Sequence, residues 1–128
     1  MTMEQQKLTL KSFEEIIRQE KPVVVDFWAI WSTACVMYKE KLKDAHKLLE
    51  KYAIFGSVDI ERVPELAEQF SIITIPTTMI FYKGKIAKQY MGIQEPEALQ
   101  AALEEITGVK IEEPKKQIDD ESDTETIS

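Results

Sequence analysis

Apolar residues follow two different spacings along the chain. From Val23 to Trp28 they run almost without a break, β-branched first and aromatic last, with Pro22 ahead of them. A run this short and continuous predicts a central strand buried on both faces. Its one dissonant residue is Asp26. Beyond it, the apolar positions are Cys35, Tyr38, Leu42, Ala45 and Leu49, separated by three, four, three and four residues. That spacing predicts a helix over 34–49 with one buried stripe. The stripe makes Cys35 an inward-facing small side chain and leaves His46 facing solvent.

The flanking segments fill in the order. Ser12 followed by Glu15 reads as a capping box, and Phe13, Ile16 and Ile17 as the apolar stripe of a short helix over 12–19. Residues 53–59 (AIFGSVD) predict a second strand. Pro64 suits the first turn of a helix whose inward face is Leu66, Ala67 and Phe70. Two strands, 77–82 and 86–91, flank Lys83-Gly84-Lys85, a tight hairpin connection. A last helix over 95–106 has Pro96 near its start, Leu99, Leu103 and Ile106 inward, and Gly108 as its stop. Alternating helices and strands ending in a hairpin imply an α/β fold, a mixed sheet with helices on both faces.

Charge divides the chain. Of the net −7, residues 112–128 carry seven acids and two lysines, a local −5, and all eleven aromatic residues lie before position 91. The expected organisation is one domain over 1–108 and an acidic, disordered tail over 109–128. Nucleic-acid binding through a basic face is excluded, because phosphate contacts need clustered Lys and Arg. No stretch approaches membrane-spanning length and the first residues lack a signal-peptide pattern, so a cytoplasmic protein with no membrane contact is expected. One cysteine (Cys35) excludes an internal disulfide, and with one histidine a Cys/His zinc site is not expected. No metal and no cofactor are implied.

Several separated motifs resemble the thioredoxin family. Val23 through Trp31 followed by Cys35 is similar to that family's strand and the turn leading into its active site. Thr74-Ile75-Pro76-Thr77 resembles its cis-proline loop, and Lys83-Gly84 and Gly92 match its hairpin and final-strand glycines. The likeness runs from about residue 8 to 107 without evident insertions. It implies the thioredoxin fold, a mixed central sheet of four to five strands flanked by four helices. It further implies a monomer, a thiol–disulfide oxidoreductase of disulfide-containing or extended-peptide protein partners, with a thioredoxin reductase as electron source. The departure is at the site itself. The family's Trp-Cys-Gly-Pro-Cys reads Trp31-Ser32-Thr33-Ala34-Cys35 here, and Glu40 stands where the family tends to carry a helix-kinking proline.

By this resemblance Ser32 holds the position of the attacking cysteine, Cys35 is the resolving thiol, and Asp26 is its proton acceptor. Trp31, Ile75, Pro76, Gly92 and Ile93 form the substrate groove. A lysine often found beside the aspartate on the next strand is replaced by Ser57. Disulfide exchange needs two thiols, one to attack and one to resolve the mixed disulfide. A helix N-terminus favours a thiolate at the attacking position. Serine keeps the hydrogen bonding there and not the nucleophile, so the chain as written cannot complete a dithiol cycle. Two readings of Ser32 stand: a Cys-to-Ser replacement in a working reductase site, or the native residue of a redox-inactive peptide-binding module. Thr33 and Ala34 favour the second, since disabling one cysteine gives no reason to alter its neighbours. A third reading is single-thiol chemistry at Cys35.

Overall fold

The computed structural model describes residues 6–112. In chain order the elements are β1 (Gln6–Lys7), α1 (Leu10–Ile16), β2 (Val23–Trp28), α2 (Thr33–Leu49), β3 (Ile54–Asp59), α3 (Pro64–Gln69), β4 (Thr77–Tyr82), β5 (Lys85–Met91) and α4 (Pro96–Thr107). The five strands form one sheet in the order β1-β3-β2-β4-β5. The apolar run β2 lies at its centre, parallel to β3 and antiparallel to β4.

Strand alternation sorts β2 between two layers. Val23, Val25 and Phe27 point toward α1 and α3, where Phe13, Ile16, Val58, Leu66, Met79 and Phe81 close an apolar core. Phe13, Phe70 and Phe81 meet there edge to face, with ring centroids 5.3–5.6 Å apart. Val24 and its face-mates Asp26 and Trp28 point the other way. Val24 packs with Tyr38, Leu42, Ala45 and Leu49 of α2, Phe55 of β3, Ile80 of β4, and Leu99, Ala102 and Leu103 of α4.

Four details differ from the sequence expectations. The first helix starts at Leu10, because Thr9 is its N-cap and Ser12, two residues inside, supplies the reciprocal half of the capping box. Strand β1 is only two exposed residues, defined by pairing with Gly56 and Ser57 and by no pattern of its own. His46 is buried, its ring stacked on Phe55 at 4.9 Å, because it follows Leu42 by four residues and widens the α2 stripe. Ile111, which composition groups with the tail, is 3 % exposed and joins the α2–α4 core. Gly108 ends α4 in the left-handed region (φ 74°) and turns the chain back. The Ile111 N–H then donates to the Glu104 carboxylate at 2.9 Å. The acidic segment 113–128 lies outside the described residues.

Candidate active site

Sheet topology brings four loops to one end of the molecule. Parallel strands β2 and β3 finish together, since Trp28 pairs with Asp59. Antiparallel β4 starts there, Thr77 pairing with Phe27, and β5 finishes beside it, Met91 pairing with Thr77. The segments after Trp28, after Asp59, before Thr77 and after Met91 therefore share that end. They carry Trp31 and Ser32, Glu61, Ile75 and Pro76, and Gly92 and Ile93.

Each loop is tied down locally. Trp31, 64 % exposed, donates its indole N–H to the Glu61 carboxylate at 2.8 Å. Glu61 is itself positioned by its backbone N–H, which donates to the Asp59 carboxylate at 3.0 Å. The Ile75–Pro76 peptide bond is cis. The Thr77 hydroxyl donates to the Thr74 carbonyl across that proline. Gly92 joins the loops by donating its N–H to the Pro76 carbonyl at 2.8 Å. Its φ of 91° is a backbone conformation that glycine adopts without strain. Ile93 packs against the α2–α4 core. Ile30, Val36, Met37, Ile73 and Met91 are large apolar residues left exposed near these loops.

Ser32 is the N-cap of α2. Its hydroxyl accepts the Cys35 N–H at 3.2 Å and its carbonyl the Val36 N–H at 3.1 Å. A side-chain oxygen in this place satisfies one of the donors left free at a helix start. Cys35 sits one turn inside, 5 % exposed, and is a free thiol. Among the described residues no base hydrogen-bonds the Ser32 hydroxyl to activate it as a nucleophile. The lone histidine, His46, is fourteen residues along the helix, about 20 Å at 1.5 Å per residue.

Asp26 lies on the α2 face of β2, 6 % exposed, between Ser57 of β3 and Thr78 of β4. Its Oδ1 is buried without a hydrogen-bond partner among the described residues. Burial pushes its carboxyl up to about 7, against the pull of the Lys39 ammonium. Above it the Tyr38 and Thr78 hydroxyls share a 2.8 Å hydrogen bond. Burial raises Tyr38 to about 12, the Thr78 bond pulls it back, and Asp26 adds to the rise. The Lys39 ammonium stands 5.3 Å over the Trp28 ring. A carboxyl that titrates near neutrality, with one oxygen lacking a hydrogen-bond partner among the described residues, can take or give a proton inside this layer.

Sequence reasoning does not single out Lys39, the Tyr38–Thr78 pair or Glu61. Lys39 follows Cys35 by four residues, so helical spacing already stacks it over the same face. Tyr38 is legible as core, but its hydroxyl needs a partner when buried, and Thr78 is a hydroxyl in an otherwise apolar strand. Glu61 leaves no signal in one sequence. Among the described residues no group of three or more His, Cys, Asp or Glu side chains gathers as for a metal, and no helix is long and apolar enough to cross a membrane.

Comparison with known proteins agrees with this arrangement. The family model described as Thioredoxin matches residues 4–105. A thioredoxin of Alicyclobacillus acidocaldarius is 34% identical over 99 residues, 77% of this chain and 94% of that protein. A Mycobacterium leprae protein named bifunctional thioredoxin reductase/thioredoxin is 30% identical over 94 residues, 73% of this chain and 20% of that protein. The solved structure of oxidized mitochondrial thioredoxin 3 from Saccharomyces cerevisiae superposes with a TM-score of 0.71 at 25% identity, covering 79% of this chain and 94% of that one. A buried carboxylate behind a helix start, a cis-proline loop beside it and a match over nearly the whole described chain lead to one assignment: the chain belongs to the thioredoxin family and has its mixed five-stranded fold.

Proposed function

We propose that this chain is a thioredoxin-like protein-disulfide oxidoreductase site without its attacking thiol, which engages disulfide-containing or extended-peptide partners but cannot turn them over. The observation that carries the reading is the α2 cap: Ser32 accepts the Cys35 N–H at 3.2 Å where a helix start would hold a thiolate. Behind it remain the buried Cys35 and a carboxyl, Asp26, that titrates near neutrality. Trp31, Ile75, Pro76, Gly92 and Ile93 form the groove. Ile75 would pair its backbone with an extended partner by strand addition. A thioredoxin reductase would supply electrons, as the name of the Mycobacterium leprae relative suggests. A reducing cytoplasm suits a single unpaired thiol.

With a thiol at position 32 the cycle closes. Its thiolate attacks a partner disulfide, forming a mixed disulfide and releasing one partner thiolate. Cys35 then passes its proton to the Asp26 carboxylate and attacks the mixed disulfide as a thiolate, releasing the second partner sulfur as a thiolate and leaving an internal disulfide for the reductant. Ser32→Cys is therefore expected to give dithiothreitol-driven insulin reduction, while the unaltered chain gives none. A Ser32→Cys variant that folds and still fails to reduce insulin would overturn the reading.

Thr33, Ala34 and the exposed Ile30, Val36, Met37 and Ile73 support a second reading, a redox-inactive peptide-binding module. Under it, peptide binding measured by calorimetry survives Cys35→Ser unchanged. Binding abolished by that substitution would return the thiol to the centre of the function.

A further inference from the structure

The end of the molecule that carries the candidate site presents its sulfur to solvent as thioether. Cys35 is buried, and Ser32 holds the place where a reactive thiol would meet solvent. Met79 is buried in the core toward α1 and α3. Among the described residues the exposed sulfur side chains are Met37 and Met91, at 61 % and 66 %. Both belong to the site's end. Met37 follows Thr33 by four residues, so it lies over the first turn of α2, and helical side chains lean toward the helix N-terminus. Met91 pairs with Thr77, which follows the cis proline, and it precedes Gly92, whose N–H donates to the Pro76 carbonyl at 2.8 Å. One thioether therefore borders the Trp31–Ser32 side of the groove and the other the Ile75–Pro76 side. Ile30, Val36 and Ile73, all exposed, extend the apolar rim around them.

We propose that Met37 and Met91 form an oxidation site on the rim of the groove: a two-electron oxygen donor such as hydrogen peroxide converts them to sulfoxides and thereby weakens partner docking. A sulfur lone pair attacks one peroxide oxygen, and an S–O bond forms as the O–O bond breaks. The hydroxide that leaves takes the proton of the transferred oxygen and becomes water. Sulfur gives up two electrons and the peroxide is reduced. A thioether on an unbranched side chain is an adaptable apolar contact for a partner. Its sulfoxide is polar and chiral. Water solvates that group while the groove is open, and a docked partner would cover it and leave it short of hydrogen bonds. This inference rests on the groove of the proposed function and adds the condition that closes it. The change also outlasts thiol chemistry, because thiol reductants reverse a disulfide whereas a sulfoxide needs its own reductases.

In the unaltered full chain, peptide mass spectrometry after hydrogen peroxide should find one oxygen added at Met37 and at Met91 and none at Met79, with the urea midpoint unmoved. Docking is read in the Ser32→Cys chain, first taken to its internal disulfide so that neither thiol meets the oxidant. Peroxide is applied and then removed with catalase, and dithiothreitol-driven insulin reduction is compared before and after. The expected result is a kcat/KM toward insulin lowered about tenfold, carried by KM, and restored by methionine sulfoxide reductases. Adding Met37→Leu and Met91→Leu to that chain removes the sulfurs, and the same treatment should then change nothing. A Ser32→Cys chain silent before peroxide fails the proposed function and takes this inference with it. Activity present beforehand and unchanged once both thioethers carry oxygen overturns this inference alone. So does an equal loss in the double leucine variant, a loss that comes with a lower urea midpoint, or oxidation that reaches Met79 first.

Discussion

The two faces of the sheet are built to opposite specifications. Toward α1 and α3 the core holds no buried charge, and Phe13, Phe70 and Phe81 meet there edge to face. Toward α2 and α4 the same strand β2 presents Asp26 between Val24 and Trp28, and the layer also takes in the Tyr38–Thr78 hydroxyl pair and the buried ring of His46. Both faces bury an apolar core, and only one of them admits a charged group. That face gives up stability to keep a titrating group out of water, and the functional loops open at the end of that layer. Truncating Phe13 on one face and Asp26 on the other should therefore change stability with opposite signs.

On the apolar face the largest change is a loss. Phe13 is fully buried among two other rings, so Phe13→Ala should cost about 3–5 kcal/mol, read as a lower urea midpoint with an unchanged slope. On the polar face Asp26→Ala should instead stabilise the chain. The carboxyl titrates at about 7 in the folded protein, against 3.8 for an unperturbed aspartate. Between those two values the unfolded chain gives up its proton and the folded chain keeps it, so stability falls as pH rises. Above about 7 the penalty is complete, up to about 4 kcal/mol for a shift of this size. Urea titrations of Asp26→Ala should show a gain at pH 8 that shrinks through this window and vanishes below about pH 4. A gain independent of pH would mean that the charge is not what Asp26 costs.

Much of this asymmetry is legible along the chain, and the exceptions have physical causes. Asp26 declares itself as a charge inside an apolar run, and helical spacing places Cys35 inward. Trp31, Ser32 and Ile75-Pro76 are visible as a motif only beside known relatives. One-stripe spacing drawn through Leu42 and Ala45 leaves out His46, the next position on the same side of the helix. Thr9 and Ser12 can both cap α1, and only backbone geometry separates them. Strand β1 and buried Ile111 depend on partners far along the chain, Gly56 and the α2–α4 core, which no local pattern encodes. Lys39 stands over the Trp28 ring on another element, a pairing that becomes visible only once the helix is laid on the sheet.

The smallest effect sharpens the comparison most, because it sits where the polar layer meets solvent. Ser32 caps α2 through one hydrogen bond to the Cys35 N–H. Ser32→Ala removes that acceptor and should cost about 1 kcal/mol of stability by urea unfolding. Both Ser32→Ala and the unaltered chain should be silent in insulin reduction, so the cap is separable from the chemistry. Ser32→Gly, which opens the helix start to water, should cost only a few tenths of a kcal/mol. If Ser32→Ala proved neutral, the hydroxyl would be idle in the fold, and capping would not account for a serine at position 32.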